Sequence, residues 1–175
     1  MVDSGQKAEE FWRRVGARLS SGGVVAVLPH TADLFVVNAS SGEEREAVRA
    51  AFGAVMQTTV GQADRRLKVD LQQRGYTPVD FDAVREAALA LDLGDTDWSE
   101  PASAIRVGRA VGAELVVAGD FRFEIHLLER PGNCAPAARQ EVRYTLVALD
   151  VADGSEVARS PLTYRWESLL PSAGQ

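Results

Sequence analysis

A histidine and an aspartate three positions apart are the first residues that could carry chemistry. His30 follows the apolar run at 24–28 and Pro29, and Asp33 comes shortly after it. Ligands often bind at the carboxyl ends of strands in α/β sheets, so His30 could act as a general base that Asp33 orients. The chain has no Gly-x-Ser-x-Gly elbow to supply a nucleophile. The competing interpretation is a histidine hydrogen-bonded within a loop, and the residue types favour it.

Three glycines, at 108, 112 and 119, raise the question of a nucleotide-binding site. A dinucleotide site needs its glycines after a strand and before a helix, where backbone amides can meet the phosphates. Here Gly108 and Gly112 end a predicted helix, and a predicted strand follows them. The order therefore predicts a helix C-cap and close packing of helix against sheet.

Acidic and thiol side chains give no stronger signal for a metal or redox site. Asp92, Asp95 and Asp97 lie around a glycine, but an EF-hand loop needs more ligands at fixed positions and a closing glutamate. Capping carboxylates in a solvated loop are the better interpretation. Cys134 is the single cysteine, so no disulfide can form within the chain, and we interpret it as an incidental thiol. We expect neither a metal nor a cofactor.

Aromatic residues are better candidates for partner binding, because tryptophan is enriched at interface hot spots. The three tryptophans are Trp12, Trp98 and Trp166, and each also fits a core position. Trp98 lies in an acidic segment and is the hardest of them to bury. The candidate partner-binding residues are therefore Trp98, His30 and Trp12.

The composition limits the classes of function. The 175 residues carry a net charge of −6 and are 46% hydrophobic, which fits a protein with a full core. No Lys/Arg block is present, so nucleic acid is not an expected partner. No apolar run is long enough to span a membrane. The first ten residues are polar and acidic, unlike a secretory signal. The expected location is cytoplasmic, or periplasmic if a leader has been removed.

Hydrophobic periodicity predicts the elements that hold these candidates. Apolar spacing predicts helices at 9–19, 43–74, 81–91 and 102–111. Short apolar or alternating runs predict strands at 24–28, 76–79, 114–129, 141–151 and 156–166, with the first strand extending to 37 after a bend. Asp153-Gly154 predicts a hairpin between the last two strands.

The expected fold is α/β (α+β), a single mixed β-sheet flanked by helices, with a C-terminal antiparallel meander. We expect an N-terminal helix and linker (1–22), one domain (23–168) and a tail (169–175).

Three segments carry a resemblance to a known superfamily. They are Val-Val-Ala-Val-Leu-Pro at 24–29, a helix-Gly-Ala-strand-Gly element at 104–119, and a strand and hairpin at 144–157 that contain Leu-Asp-Val-Ala-Asp-Gly. Together they resemble the superfamily that includes the amino-terminal domain of TolB, the curli secretion protein CsgG, and the LpoB-type outer-membrane lipoprotein activators of penicillin-binding proteins. The resemblance implies a sheet flanked by helices, used for protein contacts in the bacterial envelope. It implies no catalytic residues.

The leading hypothesis from the sequence is a non-catalytic protein-interaction module, such as an accessory protein of envelope assembly or a penicillin-binding-protein activator. Two alternatives remain open at this point. One is a structural subunit that assembles with copies of itself through a β edge. The other is a small ligand-binding or hydrolytic domain that uses His30 and Asp33.

Overall fold

A computed structural model describes residues 4–94, 100–128 and 137–169 of the chain. The described residues form four helices and six strands. The helices are α1 (Ser4–Arg18), α2 (Gly42–Gln73), α3 (Phe81–Ala90) and α4 (Pro101–Ala110). The strands are β1 (Val24–Val27), β2 (Thr31–Val37), β3 (Thr77–Pro78), β4 (Leu115–Leu128), β5 (Ala137–Asp150) and β6 (Glu156–Leu169).

All six strands belong to one mixed sheet. Its order is β3-β1-β4-β5-β6, and β2 also pairs with β4. β1 and β2 run parallel to β4, whereas β5 and β6 complete an antiparallel meander with it. β3 pairs with β1 alone among the described strands, and Pro78, which has no backbone N–H, fits this edge position. The predicted fold class is confirmed.

β1 and β2 are one strand interrupted by a bulge. Val27 pairs with Val117 and Thr31 pairs with Asp120, so the chain takes four steps from 27 to 31 while β4 takes three from 117 to 120. The extra residue reverses the alternation of side chains, as expected of a bulge. The bend predicted after residue 28 is therefore present, and it places His30 on the same side of the sheet as Val27.

Helices cover the two sides of the sheet unequally. The first side, here called the α1/α2 side, carries helices α1 and α2 over most of its length. The second side, here called the α3/α4 side, carries α3 and α4 over β1, the start of β4 and the end of β5. On the α1/α2 side, Phe11 and Val15 of α1 share one cluster with Val25 and Leu115 of the sheet. α1 therefore contributes to the same core as the strands.

α2 is the longest element and has 32 residues. It begins at the N-cap Ser41, whose side chain accepts a hydrogen bond from the backbone N–H of Glu44. It ends just before Gly75, whose φ of +82° suits glycine and stops the helix. Gly53 and Gly61 do not interrupt it. Within the described ranges, no helix is both long enough and apolar enough to cross a bilayer.

Candidate functional site

His30 is the centre of a buried polar cluster under α2. Its side chain has 0% exposure, and its Nδ1 lies 2.5 Å from an Asp64 carboxylate oxygen that also accepts the His30 backbone N–H. Its Nε2 lies 2.8 Å from the Tyr144 hydroxyl. A ring protonated at Nδ1 donates to Asp64 and accepts from Tyr144, which satisfies both nitrogens. Burial, together with the charge of Asp64, raises the pKa of Tyr144, so its hydroxyl keeps the proton that it donates.

The predicted pairing of His30 with Asp33 is wrong. Asp33 is exposed on β2, where it lies opposite Arg122 on the α3/α4 side of the sheet. Residues three apart on an extended strand face opposite sides, so His30 points towards α2 and Asp33 points away from it. The carboxylate that contacts the imidazole comes from Asp64 of α2, 34 residues along the chain.

The imidazole lies directly against Gly119 of β4. A Cβ built on Gly119 would overlap the His30 ring. Gly119 itself keeps regular pairing with Leu146 of β5. This cluster joins α2 to the bulge and to β5. With both nitrogens occupied and the ring buried, His30 can fix the helix to the sheet but offers no free nitrogen to a substrate.

The tryptophan candidates fall in different places. Trp12 is 9% exposed and packs edge-on against Phe11, with the Arg74 guanidinium 4.8 Å from its ring centroid. Little of its surface is available to a partner, and a role in binding stays a prediction. Trp98 and Cys134 lie outside the described residues, and so does the side chain of Trp166.

A cleft of about 310 Å³ opens on the α3/α4 side, between the bulge and the start of α4. Its apolar walls include Pro29, Pro101 and Ala104. Thr31 lines it as well, and its hydroxyl donates to the Asp120 carboxylate at 2.7 Å. The cleft is large enough for one apolar side chain of a binding partner.

Beyond this cleft, no described helix packs on the α3/α4 side of the sheet. This uncovered area, the open face, is carried by β2, β4, β5 and β6. Strand register places the following side chains on it: Asp33, Phe35, Arg122, Glu124, His126, Glu141, Arg143, Thr163 and Arg165. The open face is therefore a charged surface on a rigid sheet rather than an apolar one.

Two glutamates lie directly opposite each other at the centre of the open face. Glu124 of β4 pairs in register with Glu141 of β5, an arrangement that is unfavourable without counter-charges. Glu141 accepts from the Nε of Arg143 at 2.8 Å and from the Nε of Arg165 at 2.5 Å. Glu124 accepts from the Nε of Arg122 at 2.8 Å. The arginines therefore allow the two carboxylates to share one part of the sheet.

Burial differs sharply between the acids and the bases of this network. The side chains of Glu124 and Glu141 are 12% and 9% exposed, whereas those of Arg122, Arg143 and Arg165 are 49%, 51% and 68% exposed. Hydrogen bonds from Arg165 and Arg143 lower the pKa of Glu141, so its charge persists in mildly acidic solution. Within this network the guanidinium groups therefore lie outermost, and the carboxylates that bind them lie deeper.

Sequence reasoning did not identify the residues of this network. Arg122, Glu124 and His126 alternate with buried apolar residues along β4, which marks one face of this strand as charged. The partners from β5 and β6 were missed. The Asp-Gly hairpin places β6 beside β5, but the register that pairs Glu141 with Arg165 also depends on a shift near Leu149 that the sequence does not reveal.

A single mixed sheet with helices on both sides and one charged open face defines the structural class, and known structures share its fold. The LpoB C-terminal domain from Salmonella enterica is 17% identical, with 93% of this chain and 98% of that chain covered and a TM-score of 0.51. The LpoB C-terminal domain from Escherichia coli is also 17% identical, with 92% and 96% covered and a TM-score of 0.50. The NMR structure of E. coli LpoB gives 17% identity, 90% and 66% coverage and a TM-score of 0.52.

These similarities show an LpoB-like fold. They support the LpoB part of the resemblance seen in the sequence, whereas membership of the wider group with TolB and CsgG stays a prediction. No protein-family model matches the chain. No curated protein matches it either.

Proposed function

We propose that this chain is a non-catalytic accessory protein that binds another protein of the bacterial envelope, in the manner of an LpoB-type activator of penicillin-binding proteins. The observation that supports this most is the fold similarity, which extends over 93% of this chain and 98% of the Salmonella LpoB domain. The open face adds a surface of the right kind, because arginine is enriched at protein interfaces and a rigid sheet presents it in fixed positions.

The hydrolytic alternative has less support from the geometry. It depended on His30 and Asp33, which lie on opposite sides of the sheet, and both ring nitrogens of His30 are already occupied. Self-assembly through a β edge also has less support, because Pro161 in the edge strand β6 has no backbone N–H to offer another strand. The interaction module is therefore the function that the structure favours.

The test is direct binding of the purified chain to purified penicillin-binding proteins of its own organism, with peptidoglycan synthesis measured in the same mixtures. We expect one of these enzymes to bind and its synthesis rate to rise when the chain is added. A thermally unfolded sample of the chain is the control. If the chain binds none of these enzymes, the proposed partner class is wrong.

A further inference from the structure

We propose that the open face binds an acidic polypeptide segment of the partner, with Arg122, Arg143 and Arg165 as the groups that receive its carboxylates. The inference deepens the proposed function, on which it rests, by naming the surface and the chemistry of the partner.

The three arginines are held in position before any partner arrives. Each is bound through its Nε, Arg122 to Glu124 and Arg143 and Arg165 to Glu141. A guanidinium has five N–H donors, so each has further donors for another acceptor. Because their carboxylate partners are largely buried while the arginines are about half exposed or more, the bases form the layer that a partner meets first. Such preorganisation lowers the entropic cost of binding.

The charge of the surface favours single carboxylates over a continuous polyanion. The chain as a whole has a net charge of −6, which repels a nucleic acid or an anionic membrane at long range more strongly than a peptide with only a few carboxylates. Asp33, Glu124 and Glu141 lie among the arginines of the open face and limit its local positive charge. A polypeptide can place a few carboxylates against the guanidinium groups and keep neutral residues against the acids. Guanidinium and carboxylate groups also match in geometry, because both can form paired hydrogen bonds.

Two apolar features extend the same surface. Phe35 is 39% exposed, and the Arg122 guanidinium lies 4.4 Å from its ring centroid. The cleft beside Thr31 and Pro101 lies on the same side of the sheet. A segment bound across the arginines can therefore place one apolar side chain on Phe35 and another in the cleft. This combination of arginine, aromatic and pocket is typical of protein interfaces.

The probe is a fluorescent peptide in which single glutamates alternate with neutral residues, titrated with the full chain and followed by anisotropy. We expect saturable binding that weakens as salt rises from about 50 to about 300 mM, because the contacts are charged and exposed. The double variant Arg143→Gln/Arg165→Gln should lose affinity by at least about tenfold, since it removes two of the three receiving groups. If its fold is lost, the triple variant Glu141→Gln/Arg143→Gln/Arg165→Gln, which leaves no unpaired carboxylate at 141, is used instead.

The chain offers a matched control on α1. Arg13 and Arg14 both bond to the single carboxylate of Glu10, as Arg143 and Arg165 both bond to Glu141. The variant Arg13→Gln/Arg14→Gln removes the same charge from another surface, and we expect its affinity to stay within about twofold of wild type. Equal losses in the two pairs would overturn the inference, because binding would then depend only on net charge.

Two further probes separate the possible partners. A single-stranded oligodeoxynucleotide or phosphatidylglycerol vesicles that bind more tightly than the peptide, with the same sensitivity to Arg143 and Arg165, would overturn the acidic-polypeptide assignment. No binding of the peptide would also overturn it. The proposed function can hold even if this inference fails. If a penicillin-binding protein binds the wild type and both double variants with equal affinity, the proposed function stands and only the assignment of the open face as the binding surface is wrong.

Discussion

The contact between Gly119 and His30 shows how one missing side chain permits a buried polar cluster. The ring occupies the space in which a Cβ at 119 would lie, and there it reaches both Asp64 and Tyr144. Buried polar groups need their partners, because an unsatisfied one costs the full desolvation of the group. Glycine at 119 is therefore required by packing, although its backbone is that of an ordinary strand.

We expect Gly119→Ala to lower the free energy of unfolding by about 2–4 kcal/mol, because it displaces the imidazole and breaks its hydrogen bonds. The measurement is urea unfolding followed by circular dichroism. Gly61→Ala is the matched control, since nothing lies within 4 Å of a Cβ at that position of α2. The control should stabilise the protein by about 0.5–1 kcal/mol through helix propensity. If Gly119→Ala changes the free energy of unfolding no more unfavourably than Gly61→Ala does, the packing argument is wrong.

At the scale of elements, β6 leaves one edge of the described sheet free for pairing. β6 pairs with β5 alone among the described strands. The Lys7 side chain donates to the carbonyl of Pro161 at 3.5 Å, so this carbonyl faces away from β5. In an antiparallel strand the nitrogen and carbonyl of a residue face the same way, and proline has no N–H to offer there. Proline and lysine both weaken an edge as a template for another strand.

We expect Pro161→Val to increase self-association, because it restores a backbone donor on the free edge of β6. Thr163→Val is the control: it introduces the same side chain two residues along the strand and changes no backbone donor. Sedimentation equilibrium over a range of concentrations measures the result. If Pro161→Val and wild type have the same mass at every concentration, this proline is not what prevents the edge of β6 from pairing with another chain.

Most of the elements could be predicted from the sequence, and the pairings between distant elements could not. Alternation along β4 and the spacing of apolar residues along α2 are local patterns, so both elements were found close to their observed bounds. The contact of His30 with Asp64 joins residues 34 apart, and nothing local to either residue specifies it. Asp33 is the carboxylate nearest to His30 in sequence, but residues three apart on an extended strand face opposite sides of the sheet.

At the scale of the whole molecule, α1 belongs to the core of the sheet. Phe11 and Val15 are 1% and 0% exposed, and they share a cluster with Val25 and Leu146. A fully buried apolar side chain contributes about 1.5–3 kcal/mol relative to an exposed one. The proposed boundary between 1–22 and 23–168 is therefore open to an experimental test of whether α1 and the sheet unfold together.

We expect Phe11→Ala to lower the free energy of unfolding by about 3–5 kcal/mol in a single cooperative transition, because it leaves a cavity between α1 and the sheet. Gln6→Ala, on the exposed part of the same helix, should change it by less than about 0.5 kcal/mol. Chemical denaturation followed by tryptophan fluorescence and by circular dichroism measures both variants. A separate early transition for α1 would support the division at residue 22.

The parallel pairing of β1 with β4 has a consequence for how the chain folds as it is synthesised. Val25 pairs with Leu115, 90 positions later, whereas the meander of β4, β5 and β6 joins neighbours in the chain. Until β4 leaves the ribosome, β1 can pair only with the two residues of β3, and its buried valines have no sheet to enter. Loop closure over such a distance is slow, and exposed apolar strands aggregate. We therefore expect the amino-terminal half of a nascent chain to expose apolar residues that chaperones can bind until the meander has formed.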